Sequence, residues 1–198
     1  MTIRLAIADT GGANLASLIH AFERLNVVAC VTSSAAELHA ATHVVLPGVG
    51  AAGPAMARLE AAGLVAALRE LSCPVLGICL GMQLLYERSE EAAVPCLGIL
   101  PGGVASLAPS PFVTVPHMGW NTVDATSQHA LLDGVPSGTY AYFVHSYAAP
   151  LSENTIATSE HGVSFSAAVA YRNFLGVQFH PEKSSAAGAR LLRNFVNL

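Results

Sequence analysis

Charge is scarce in this chain. Asp, Glu, Lys and Arg make up 11% of its 198 residues, against the ~25% usual in globular domains. The 13 acidic and 9 basic residues leave a formal net charge of -4 and form no block of either sign. No basic stripe is available to neutralise a phosphate backbone, so nucleic acid is not expected as a partner. Long apolar runs are missing too. The weakly charged stretch 92–123 is interrupted by Pro95, Pro101, Pro109, Pro111 and Pro116 and by Gly98, Gly102 and Gly103. No segment approaches the ~20 apolar residues of a membrane-spanning helix, and no membrane partner is expected. Met1 to Asp9 lacks the basic-then-apolar pattern of a secretory leader. The four cysteines, Cys30, Cys73, Cys79 and Cys96, show neither CxxC spacing nor a dense framework. The eight histidines are scattered, without zinc-knuckle or HExxH spacing. The expectation is a cytoplasmic chain with free thiols, no metal and no cofactor.

What the chain has in quantity is apolar residue, 53% of the total, which rules out intrinsic disorder and supplies one sizeable core. Its length fits one domain spanning 1–198. So sparse a charged coat raises the expectation that part of the surface is covered by another subunit.

The first half alternates strand and helix signals. Thr2 to Ala8 reads as a buried strand, and Leu15, Leu18, Ile19, Phe22 and Leu25 follow at helical spacing behind a capping Asn14. Val27 to Thr32 predicts a strand, 35–40 a short helix, His43 to Leu46 a strand. Pro54 to about Leu71 predicts one helix, with Pro54 at its first position. Pro74 to Ile78 predicts a strand and Leu80 to Arg88 a helix. Short connections and apolar strands favour a parallel sheet with helices on both faces. From Leu97 onward the pattern becomes short strands at about 103–107, 112–115, 139–144, 155–159, 165–171 and 174–179, and a closing helix at Ser184 to Asn197. The fold class is therefore α/β: a central, mostly parallel sheet flanked by helices, with an antiparallel, strand-rich C-terminal half.

Gly77-Ile78-Cys79-Leu80-Gly81 falls between a strand and a helix, with glycine two positions either side of a nucleophilic residue. A side chain displayed at the tip of a sharp turn needs small neighbours, because the backbone is strained and adjacent elements approach closely. A helix start at Leu80 favours thiolate over thiol. The plain alternative is a buried structural cysteine. The apolar strand Phe174 to Phe179 ends in His180-Pro181-Glu182, at the kind of strand end where α/β folds place chemistry. In extended backbone, residues two apart project to one side, so Glu182 can fix the imidazole tautomer while His180 moves protons to and from Cys79. Pro47-Gly48-Val49-Gly50 follows another strand end. It is either an ordinary tight turn or, with the amide of Leu80, the source of two donors for an oxyanion, from Val49 or Gly50.

These pieces together resemble the class I glutamine amidotransferases. Gly-Ile-Cys-Leu-Gly-Met-Gln at 77–83 and the distal His-Pro-Glu are shared by the wider class. Pro116-His117-Met118-Gly119-Trp120-Asn121, Tyr142-Phe143-Val144-His145-Ser146-Tyr147 and His180-Pro181-Glu182-Lys183-Ser184 resemble the branch formed by the glutaminase subunits of imidazole glycerol phosphate synthase. The resemblance runs from Asp9 to Lys183. It implies that Cys79 attacks the side-chain amide of glutamine, that water releases glutamate from the thioester, and that ammonia passes through a barrel-shaped cyclase subunit in a heterodimer of histidine biosynthesis. It also implies that Gln83 and Glu91 hold the amino-acid head group, that Ser146 and Tyr147 line the same pocket, and that Asn14, Trp120, Asn121 and Lys183 face the cyclase. On the residues alone, Gln83 could serve only helix packing, Glu91 could belong to a solvated face, Trp120 to the core and Lys183 to open surface. The chain departs from the family pattern at Thr10, where an aromatic is usual, at Ala13, where a glycine is usual, and at Thr114, where a basic residue is common. Three competing readings are a glutaminase for pyridoxal phosphate or anthranilate synthesis, a catalytically silent partner subunit, and a cysteine peptidase. The Trp120 and Lys183 motifs argue against the first and the intact Cys79, His180 and Glu182 against the second. The head-group residues Gln83 and Glu91 would be superfluous in the third.

Overall fold

The computed structural model describes residues 2–11 and 15–198. In chain order the elements are β1 (Leu5–Ala8), α1 (Leu15–Glu23), β2 (Ala29–Thr32), α2 (Ala35–Ala40), β3 (His43–Leu46), α3 (Ala52–Ala61), α4 (Leu64–Glu70), β4 (Val75–Ile78) and α5 (Leu80–Gln83). Then follow β5 (Tyr86–Ser89), β6 (Val94–Pro95), β7 (Leu100–Ser106), β8 (His117–Ala125), β9 (Thr139–His145), β10 (Tyr147–Ala148), β11 (Thr155–His161), β12 (Val163–Tyr171), β13 (Phe174–Val177) and α6 (Ser185–Val196). Nine strands form the main sheet in the order β2-β1-β3-β4-β13-β12-β11-β8-β9, and β10-β7-β5-β6 form a smaller one.

The apolar strands are the central ones, because only a strand covered on both faces can be continuously hydrophobic. β1, β3, β4 and β13 are buried at every position. They pair in parallel, with helices on the two faces. β13, last in sequence, lies beside β4 with Val177 opposite Ile78 and Gly176 opposite Gly77. This register carries the next residues of both strands, Cys79 and Gln178, to the same end of the sheet. Beyond β13 the pairing turns antiparallel through β12, β11, β8 and β9.

Several sequence expectations are corrected. The helix expected from Pro54 to Leu71 is two helices, broken at Gly63, whose φ of 68° is left-handed. Pro54 sits inside α3, which begins at Ala52. The helix expected over Leu80 to Arg88 is one turn, α5, and Tyr86–Ser89 is a strand because β7 and β6 pair with it on either side. The expected strand at 112–115 is a turn closed by a bridge between Ser110 and Val113. The strand β8, nine residues long like β12, is not among the expected strands, since Gly119 and Asn121 disguise its alternation. The proposed cap, Asn14, lies outside the described residues, as does Ala13.

Candidate active site

Cys79 has φ 53° and ψ -112°, a left-handed conformation that side chains rarely adopt. What holds it there is glycine packed on backbone. A Cβ on Gly77 would meet the carbonyl of Gly81 and the amide of Met82 at 2.7 Å, and one on Gly81 would collide with the carbonyl oxygen of Leu46. A Cβ on Gly48 would collide with the Gly81 amide. The loop after β3 is thereby pressed onto the turn after β4, and Val49 and Gly50 line the same cavity as Cys79 and Leu80. Because α5 is a single turn, a helix dipole is a smaller influence on the sulfur than the expected longer helix implied. The free amides at its start remain as donors.

The cavity measures about 370 Å³ and is bounded by Gly48, Val49, Gly50, Cys79, Leu80, Gln83, Glu91, Pro116, Val144 to Tyr147, and His180. His180 is 2% exposed, and its Nδ1 lies 2.8 Å from Glu182 Oε1. The expected extended path through Pro181 is corrected: 181–183 is a 3-10 turn. That turn curls the carboxylate back under the ring and leaves Nε2 for the sulfur. Burial alone would push the His180 pKa down; hydrogen bonds and charge from Cys79 and Glu182 outweigh it and raise it to about 10. Among the described residues, none hydrogen-bonds to the second carboxylate oxygen, Oε2, which is buried.

The sequence-expected substrate residues meet here. Gln83, 4% exposed, donates from Nε2 to the Tyr147 carbonyl at 2.8 Å and to Gln178 Oε1 at 2.9 Å. Both of its donors are used, so its own Oε1 is the atom left for a ligand. Glu91 is not a solvated charge: its Oε2 accepts from the Ala52 amide at 2.6 Å, fastening the end of the 47–51 loop. Thr10, at one of the departures, is 7% exposed and donates to the Pro47 carbonyl at 3.3 Å, tying that loop from the other side. The main chain of Thr114, at another, accepts from His161 Nε2 at 2.7 Å.

Of the residues expected at a partner surface, Trp120 is 53% exposed, among Met118 and Tyr140 on the same face of β8 and β9. Lys183 stands with its ammonium 5.7 Å from the centre of the Tyr142 ring. Asn121 is different. Its side chain turns inward, donating to His117 Nε2 at 3.2 Å and to the Glu160 carbonyl at 2.8 Å. Asn14 lies outside the described residues. Sequence reasoning missed the buried polar network formed by Gln178, His117 and His145, on which the half-buried His161 stacks. The relevant partners stand 28 to 99 positions apart, and no local spacing announces them.

A thiol on a strained turn after a parallel strand, beside a buried histidine and carboxylate at a cavity of amino-acid size, is an arrangement able to carry cysteine-dependent hydrolysis on an α/β fold. The chain matches the class-I glutamine amidotransferase family over residues 6–198 and belongs to it. It is 53% identical over 194 residues to imidazole glycerol phosphate synthase subunit HisH of Xanthomonas euvesicatoria pv. vesicatoria (strain 85-10), covering 98% of this chain and 97% of the relative. It is 51% identical, with the same coverage, to HisH of Xylella fastidiosa (strain Temecula1 / ATCC 700964). Among solved structures it resembles a glutamine amidotransferase with a TM-score of 0.75 at 20% identity, covering 98% of this chain and 97% of that one. A second, from Thermotoga maritima, gives 0.67 at 19%, covering 100% and 84%. At such identities these two likenesses speak for the fold alone.

Proposed function

We propose that the whole chain, 1–198, is one glutaminase domain and the ammonia-supplying subunit of an imidazole glycerol phosphate synthase. The observation that carries this reading is the strained Cys79 turn facing the His180–Glu182 pair, in a chain so alike over its full length to the HisH subunits.

Glutamine binds with its α-ammonium toward Gln83 Oε1 and Glu91 and its chain along Ser146 and Tyr147. Cys79 Sγ gives up its proton to His180 and attacks the side-chain amide carbon. The developing oxyanion is met by the Leu80 amide and an amide of Val49 or Gly50, from the loop that lines the cavity beside Cys79. His180 returns the proton to the amide nitrogen, the C–N bond breaks and ammonia leaves. Water then attacks the thioester, His180 taking its proton, the C–S bond breaks, and glutamate and free Cys79 are restored. Glu182 fixes the Nδ1–H tautomer and stabilises the imidazolium throughout. A cyclase subunit seats on the β8–β9 face around Trp120 and Lys183 and receives the ammonia. Cover by a partner accounts for an aromatic so exposed in a chain so poor in charge.

The test is glutamate release from glutamine, with and without the cyclase subunit and its ligand. Cys79→Ala is expected to lose glutamine-dependent synthesis while the complex still works from ammonium salts. Loss of both would mean that Cys79 is structural, and retention of both would remove it from the reaction.

A further inference from the structure

The parallel register that sets Val177 against Ile78 leaves Gln178 beside Cys79, and Gln178 is completely buried. Its carboxamide Nε2 lies 3.7 Å from Cys79 Sγ, within reach of a hydrogen bond to sulfur. We propose that Gln178 is a further catalytic residue, a donor to the Cys79 sulfur, and that a hydrogen-bonded chain through Gln83, the Tyr147 carbonyl, His145 and His117 locks it in the donating orientation. This inference rests on the reading of Cys79 as the nucleophile.

The orientation follows from donor and acceptor bookkeeping. The Tyr147 carbonyl can only accept, so the atom of Gln83 facing it at 2.8 Å is the amide nitrogen. That nitrogen also faces the Gln178 carboxamide at 2.9 Å. A flipped Gln178 would set two donors against each other, so its oxygen faces Gln83 and its nitrogen faces sulfur. The Tyr147 carbonyl accepts a second bond, 2.8 Å from His145 Nδ1, which therefore carries that ring's proton. His145 Nε2 is then an acceptor, and His117 Nδ1 donates to it at 2.9 Å. His117 Nε2 accepts in turn from Asn121, whose Oδ1 takes the Thr122 amide at 2.8 Å. Each link has one consistent direction. His161 stacks on His117 at 4.1 Å and 17°, and His117 stacks on Phe143 at 4.8 Å and 23°, so the ring is fixed on both faces.

An amide fully removed from water and aimed at sulfur has a use. The sulfur carries negative charge before it attacks, and again as the C–S bond breaks in thioester hydrolysis and the electron pair returns to it. A donor fixed by the fold stabilises that charge at both moments without reorganising. His145 and His117 reach Gln178 only through the Tyr147 carbonyl and Gln83, and act as positioning residues.

The test is the pH dependence of iodoacetamide alkylation, quantified on the Cys79 peptide of the full chain so that exposed Cys30 does not contribute. Gln178→Met keeps length and removes the donor. Alkylation at neutral pH is expected to slow by about tenfold, the value of a hydrogen bond to a charged group, with the pH profile displaced upward. The turnover number should fall similarly and KM for glutamine should not rise, whereas loss of head-group binding would raise KM. His117→Phe, which keeps the stacking but not the donor to His145, is expected to displace the profile in the same direction by less. If Gln178→Met does not fold by near-UV circular dichroism, Gln178→Glu replaces it, accepting from Gln83 while setting a carboxylate against the sulfur, and should slow alkylation further. A folded Gln178 variant with the parent profile overturns the inference. An unshifted His117→Phe overturns the chain. If a glutamine-like electrophile fails to label Cys79 in the parent, the glutaminase reading falls and takes this inference with it; labelling with an unchanged Gln178→Met profile removes the inference alone.

Discussion

Two sets of buried histidines lie beside the cavity and titrate in opposite directions. His180, at the end of β13, meets a thiol and a carboxylate, and its pKa is raised to about 10 against the opposing pull of burial. His117 and His145, in β8 and β9, meet amides, carbonyls and one another. Burial, helped by neighbouring imidazoles, pushes them down to about 4 and about 3. Burial penalises charge in both places, and partners decide the outcome. One histidine is set to take the thiol proton and hold it, and the other two are neutral groups with fixed tautomers, suited to holding geometry.

The comparison breaks hardest at His180. His180→Ala is expected to lower glutaminase turnover by about 10⁴ or more with the fold intact, and Glu182→Gln by about 10³, since an amide can orient the ring but cannot stabilise its charge. His117→Phe should stay within about tenfold. A His117 variant as inactive as His180→Ala would erase the distinction between proton carrier and positioning group. Steady-state kinetics on folded variants decides this.

Stability against pH sharpens the same contrast. The folded pKa values of His117 and His145 lie below the ~6.5 of an unfolded chain, so between those values the unfolded state binds protons that the folded state refuses. Stability is full above about pH 6.5 and declines as pH falls toward 4, by about 1.4 kcal/mol per pH unit for each such proton. His180 has the opposite sign: its contribution is full below about pH 6.5 and fades as pH climbs toward 10. Urea melts across pH should show His117→Phe flattening the acid limb alone and His180→Ala flattening the alkaline limb alone.

Trp120 adjoins Asn121, the outer end of the histidine chain, yet points to solvent. Trp120→Ala is expected to weaken cyclase binding by about 30-fold or more, as loss of an aromatic anchor does, while glutamate release by the isolated chain stays unchanged. A calorimetric titration measures the first and a coupled assay the second. The smallest effect is expected at Thr10→Val, which removes the bond to the Pro47 carbonyl. Stability should fall by about 1 kcal/mol and turnover by a few-fold, through a looser 47–50 loop, with KM unchanged.

The two regions also differed in how much of them the sequence disclosed. The Cys79 turn was legible because its cause is steric and local: Gly77 and Gly81 flank the residue they make room for. His180 and Glu182 stand two positions apart at the end of an apolar strand, which drew attention even though the path between them is a 3-10 turn. The parallel strands were legible because burial on both faces leaves a continuous apolar run. Tyr86–Ser89 was not, because helical-looking residues became a strand when β7 and β6 paired with them. β8 was hidden by Gly119 and Asn121, and with it went the histidine chain, since His117, His145 and His161 come together only through the pairing of β8 with β9 and β11. Gln178 stood in view next to the histidine motif, but its meaning depends on a register between strands about a hundred residues apart.

Every step of the proposed reaction passes through Cys79. Burial and the Glu91 charge hold the Cys96 thiol at about 11, and burial raises that of Cys73, so neither competes as a nucleophile near neutral pH. The most direct measurement is peptide mapping after exposure of the chain to a diazo-ketone analogue of glutamine, in the presence and absence of excess glutamine. The expected result is one adduct, on Cys79, lost in His180→Ala and suppressed by glutamine. Adducts on Cys30, Cys73 or Cys96 instead, or full glutamate release by Cys79→Ala, would contradict it.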